Sequence, residues 1–182
     1  MFIVFTILAI RSITHKVIIQ DRQISFRNIF HEKSIMIMPD SRIYITRDTY
    51  SFNFIFRIYH FKIKVINSNQ TLVFNANVNN SNKLFELIEH LENQIILPTL
   101  YKRFIENHYL EFDTNLSISK MSLIYKNKDY FFETIQSIEI DHSHFKLLSD
   151  GLLWKKQIVA IRIPSIPNLT TFTTIVHQIN NS

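Results

Sequence analysis

The densest cluster of side chains able to do chemistry is "DHSH", Asp141 to His144. On an extended strand His142 and His144 would share a face, as two ligands of one metal ion do. Asp141 adds a carboxylate, but no third ligand follows at a readable spacing, so surface or turn histidines are the ordinary alternative and no metal is expected. The chain has no cysteine, which excludes disulfide frameworks, thiolate zinc sites, iron–sulfur clusters and cysteine nucleophiles. Gly151 is its only glycine. P-loops, dinucleotide fingerprints, G-x-S-x-G elbows and EF-hand loops need glycine for steric reasons, so these too are excluded. Carboxylates are scattered, and none pair into an acid/base couple. A non-catalytic protein without a cofactor is the expectation.

Binding remains, and composition describes the frame that would support it. A chain of 182 residues makes one large domain or two small ones of about 90 residues each. Sixteen Phe and seven Tyr beside one Gly predict many strands, with Asn serving the turns that glycine usually serves. The net charge of +5 permits attraction to anionic partners without specifying one. "MFIVFTILAI" at the start is apolar throughout, yet ten helical residues span only about 15 Å, half a bilayer core. No basic stretch precedes it and no small-residue cleavage site follows, which argues against a secretory signal. It reads as a buried first strand or packed terminal segment, or as the end of a membrane anchor with Arg11 and Lys16 on the cytoplasmic side.

From His15 the texture becomes short and alternating. "KVIIQ", "QISFRN", "SIMIMP", "SRIYITRD", "FNFIFRIYHFKIKVINS" and "TLVFNA" read as strands, with "QDRQ" and "NSNQ" as turns. In the long strand Ile63 and Val65 share one face, and Lys62 and Lys64 share the other. At Asn79 the period switches to helical, with Leu84, Ile88, Leu91 and Ile95 on one stripe and Glu86, Glu89 and Glu92 on the wetter side. Pro98 divides this stretch into helices over roughly 82–96 and 98–107. Strands resume from "YLEF" to "QIVAIRI". Pro164 and Pro167 end the last one, and Asn168 is placed to cap a closing helix. That helix carries Leu169, Phe172, Ile175, Val176 and Ile179 as an apolar stripe, and Phe172 and Ile175 are expected against the second sheet. Phe172→Ala is accordingly expected to unfold the C-terminal half and spare the first.

The halves read as one plan used twice. "ISFRN" at Ile24 to Asn28 matches "LIYKN" at Leu123 to Asn127, and "DSRIYI" answers "TIQSIEI". The predicted layout is an apolar segment 1–15, a first domain 16–97, a linking helix 98–108 and a second domain 109–182. The stretches "ILPTLYKRFIENHYLEFDTNLSISKMSLIYKNKDYFFETIQSIEI" and "IRIPSIPNLTTFTTIVHQI" resemble a bacterial family of tandem pleckstrin-homology-like (PH-like) proteins, domain-of-unknown-function family 6585. Its pattern is a Leu-Pro before a helix, an apolar-basic-x-x-Leu strand and a closing Pro-Asn helix. Phe132 stands where that family tends to carry tryptophan. The resemblance implies an α+β fold of two PH-like domains in tandem, each a strongly bent antiparallel sheet or partial barrel closed by a C-terminal α-helix.

PH domains that bind anionic headgroups present Lys and Arg around the first hairpin. Arg22 and Arg27 occupy that region in the first half, and Lys120, Lys126 and Lys128 in the second. "DGLLWKKQ" adds Lys155 and Lys156 beside Trp154. A solvated strand edge, where lysine discourages pairing, accounts for the same residues. The expected function is a binding or scaffolding module for a protein segment or an anionic membrane surface, with no nucleic acid partner. The alternative is the cytoplasmic part of a membrane-anchored protein. The expected location is the cytoplasm, with the inner membrane face as the candidate surface.

Overall fold

The computed structural model describes residues 16–27, 31–52, 56–68, 70–76, 81–141, 143–151 and 155–180. The apolar start, His142 and Trp154 lie outside the described residues. Strands β1 (Lys16–Gln20), β2 (Gln23–Arg27) and β3 (Glu32–Met36) form one antiparallel meander. Asp21 turns the first hairpin at a φ of 52°, in the left-handed region that Asp tolerates. Strands β4 (Arg42–Phe52), β5 (Phe56–Ile66) and β6 (Thr71–Ala76) form a second. Its register sets Ile43 against Val65, and Val65 against Leu72. All three are buried while Lys62 and Lys64 face out, as the alternation requires. The "NSNQ" turn closes as expected, with the Gln70 N–H donating to Asn67 Oδ1 at 2.8 Å.

Helix α1 (Ser81–Leu91) runs through a π turn (Glu92–Ile96) into α2 (Leu97–Asn107). Leu84, Ile88, Leu91 and Ile95 are buried along it, as their spacing predicts. The expected break at Pro98 is instead a change of winding. Proline lacks the N–H that would bond back to Gln94, and Leu97 donates five residues back, to Glu92 O. Position 92 falls four residues beyond Ile88, beside the apolar stripe. Glu92, expected on the wet side, is 1% exposed.

Strands β7 (Tyr109–Asp113), β8 (Leu116–Ser119), β9 (Ser122–Tyr125) and β10 (Lys128–Phe131) make a four-stranded sheet. Strands β11 (Ser137–Ile140), β12 (His144–Ser149) and β13 (Lys156–Arg162) make a three-stranded one, and α3 (Leu169–Asn180) ends the described chain. Lys126 and Asn127 turn β9 into β10 with φ of 51° and 62°, so Asn does serve a turn where glycine would be usual. The fold is mixed α+β with antiparallel sheets. The described strands form four separate antiparallel sheets, two before the helical stretch and two after it, and no closed barrel. Pro39 lies between β3 and β4, and a 3-10 turn, Phe132–Thr134, lies between β10 and β11. Both interrupt the hydrogen-bond ladder where one continuous sheet would have to bend.

One buried apolar cluster runs from Ile24 through Ile88 and Ile118 to Val176. Phe172 is fully buried, with its ring edge-on to Phe112 of β7 and Phe145 of β12 at 5.3 and 4.9 Å. The expected packing of Phe172 is thus observed, and Ile175 is fully buried in the same core. Asn168 departs from expectation. It precedes α3, but its side chain turns away from the helix: Oδ1 accepts from the Ile43 N–H and Nδ2 donates to Ser41 O, both at 2.8 Å. Its own N–H donates to Ile43 O, also at 2.8 Å. The helix N-terminus is met instead by Glu92, whose carboxylate accepts from the Thr171 N–H at 3.2 Å. Asn168→Ala would strand the buried Ile43 N–H and place a Cβ-branchless but non-glycine residue at a φ of 51°. The expected loss is about 2 kcal/mol, read as a lower denaturant midpoint at unchanged slope. A midpoint equal to wild type would show that the link contributes nothing.

Candidate functional site

Two edge strands assemble the lysines. β10 is the outer strand of its sheet and β13 of the next. Lys128 opens the first and Lys156 the second, and both line one depression of about 320 Å³ with Tyr130, Phe131 and Ile158. Phe131 is 47% exposed beside them. Lys128 Nζ lies 5.3 Å from the Tyr130 ring, and Lys126 Nζ lies 5.3 Å from the Tyr125 ring. The rings support the stems while the charged heads stay at the surface. Lys155 is exposed and donates to Ser137 Oγ at 3.1 Å. Lys120 is exposed in the β8–β9 turn, which meets the end of β10 through the Phe132 N–H bond to Met121 O at 2.9 Å. Met121 itself is 67% exposed. Arg22 and Arg27 are exposed on the β1–β2 hairpin and do not line this depression.

A second basic cluster was not singled out from sequence. Register pairs Tyr44 with Lys64 and Thr46 with Lys62, which brings Arg42, Lys62 and Lys64 onto one depression of about 420 Å³. Asp113 of β7 joins it, accepting from the Tyr44 hydroxyl at 3.0 Å and lying 3.6 Å from the Arg42 guanidinium. Burial and the Asp113 carboxylate push the Tyr44 phenol up to about 12, so it stays a donor. Alternation alone put Lys62 and Lys64 on one face, but only the pairing register could show that Arg42 joins them.

Of the "DHSH" cluster, Asp141, Ser143 and His144 are tied together by local hydrogen bonds. Asp141 Oδ1 accepts from the N–H groups of Ser143 and His144, each at 2.7 Å, and Lys146 Nζ lies 2.7 Å from Oδ2. Lys146 and these donors hold the Asp141 carboxyl well below the usual carboxylate range, and Asp141 in turn raises the Lys146 ammonium. His144 Nδ1 lies 2.7 Å from Ser143 Oγ. Among the described residues no three metal-capable side chains converge.

Among the described residues the most enclosed acidic group is Glu92. It borders a cleft of about 420 Å³ formed by Ile45 of β4, Phe85, Ile88 and Glu89 of α1, and Leu169 and Thr170 of α3. The β11–β12 turn and Arg162 complete the rim. Burial pushes the Glu92 carboxyl up to about 7, against the bonds from Thr171 and Thr170 that lower it. One residue along, the buried Thr171 Oγ1 has no hydrogen-bond partner.

Among the described residues no helix is long and apolar enough to cross a membrane. The model of a family of unknown function, DUF6585, matches residues 1–182. No curated protein and no solved structure matches the chain.

Proposed function

We propose that this chain, which belongs to the family of unknown function DUF6585, is a non-catalytic binding module that docks on an anionic membrane surface. The observation that carries the reading is the meeting of Lys128 and Lys156 on one depression beside the exposed Phe131. Basic residues at an anionic lipid surface each contribute about 1 kcal/mol, and an exposed aromatic ring adds apolar contact at the headgroup boundary. Lys120, Lys126 and Lys155 extend the charge, and Met121 extends the apolar contact. The same electrostatics favour the inner face of the membrane, where anionic lipid is concentrated.

Two PH-like units, over 16–97 and 109–182 with the 98–108 helix between them, suit this role. Their support is a shared order of meander, meander and helix. "ISFR" lies on β2 and "LIY" on β9, and both are interior strands of their sheets. The open edge of β10 favours a second reading, in which an extended partner segment adds as a strand.

Co-sedimentation with phosphatidylserine-containing vesicles at low salt separates these readings. Lys128→Glu combined with Lys156→Glu should weaken vesicle binding at least about tenfold, while Arg22→Glu combined with Arg27→Glu should leave most of it. Equal losses in both variants would reduce the interaction to net charge. No loss in the lysine variant would remove the proposed face.

A further inference from the structure

The cleft beside Glu92 is separate from the lysine face and has its own chemistry. Glu92 is 1% exposed, yet none of the ion pairs among the described residues includes it. A buried carboxylate without a cation is costly, and the N–H bonds of α3 offset that only in part. The cavity it borders is of a size that small ligands occupy, and its walls are mostly apolar: Ile45, Phe85, Ile88 and Leu169. Of the charged groups around it, Asp141 is already paired with Lys146 at 2.7 Å. That leaves Glu89 and Glu92 facing Arg162, which is exposed at the rim. The balance favours one added positive charge, and Arg162 disfavours a second. An anionic ligand would find the N-terminus of α3 already occupied by Glu92.

The geometry points to a binding site for a primary ammonium on an aliphatic stem, the ammonium seated on the Glu92 carboxylate and the stem along Ile45, Phe85, Ile88 and Leu169. The ammonium supplies the cation that the protein does not, and a charge-assisted bond in a low-dielectric cleft is among the stronger polar contacts. The stem displaces water from apolar wall. A linear polyamine would bring a second charge towards Arg162 and should bind less well than a monoamine. The chemistry is common to a free alkylamine and to a lysine side chain of a partner.

Calorimetric titration of the full chain with hexylammonium, hexanol and hexanoate tests the site. Hexylammonium should bind at least about tenfold more tightly than hexanol, and Glu92→Gln should remove that advantage while leaving hexanol unchanged. Burial raises the carboxyl to about 7. Binding near neutral pH should therefore release protons, seen as a heat that varies with the ionisation enthalpy of the buffer. Ile45→Trp should block every ligand with Glu92 in place, which covers the case in which Glu92→Gln alters the fold. Nα-acetyl-lysine methylamide identifies the source. Tighter binding than hexylammonium assigns the amine to a partner lysine, and weaker binding assigns it to a free amine. Equal affinities for hexanol and hexylammonium, a preference for hexanoate, or an unaltered Glu92→Gln affinity would overturn the site.

Discussion

Phe172→Ala should lower the stability of the whole chain by about 3–5 kcal/mol, a large share of the roughly 5–15 kcal/mol that holds a domain folded. The ring is fully buried and meets Phe112 and Phe145 edge-on, so truncation leaves a cavity among aromatics with little means of collapse. Independent halves would let the first keep its own transition, as the sequence alone suggested. The continuous core, the Asn168 bonds to Ser41 and Ile43, and the Glu92 bond to Thr171 predict otherwise. Hydrogen exchange should show the amides of β4–β6 losing protection together with those of β11–β13. Protection retained in β4–β6 alone would show that the halves unfold separately. A variant that melts like wild type would show that the α3 stripe carries no packing energy.

Acidification should stabilise the fold through Glu92. Its carboxyl is raised from an ordinary 4.5 to about 7, so the folded chain holds a proton that the unfolded chain has released. The stabilisation is full below 4.5 and is lost as pH rises through about 7. Across that window the contribution is about 3 kcal/mol. Thermal melts between about pH 5 and about pH 8 should show it as a falling midpoint. Glu92→Gln keeps an acceptor for the Thr171 N–H without the charge, so it should flatten this slope and raise stability at the alkaline end. An unchanged slope in Glu92→Gln would assign the pH dependence to other groups.

Much of the fold was legible because its signals are local. Alternation placed Ile63 and Val65 inside and Lys62 and Lys64 outside, and three- and four-residue steps placed Ile88, Ile95, Phe172 and Ile175 in the core. Glu92 was misplaced because its charge was read as solvated, although position 92 lies four residues beyond Ile88 and so beside the apolar stripe. Asn168 is a good cap by residue type, but its amide is used by Ser41 and Ile43, far away in sequence. The site shows the same division. Lysines in strand starts and turns were visible as exposed cations, whereas the meeting of Lys128 with Lys156, or of Arg42 with Lys62 and Lys64, depends on which strands lie side by side.

The most direct test of membrane docking is a vesicle sedimentation series on the unmodified chain, varying anionic lipid and salt together. Binding carried by the lysine face should rise with the anionic fraction and collapse by about 0.5 M salt, where the Debye length is about 4 Å. Neutral vesicles should leave the protein in the supernatant. Binding to neutral vesicles at high salt would contradict the account and assign attachment to insertion of "MFIVFTILAI".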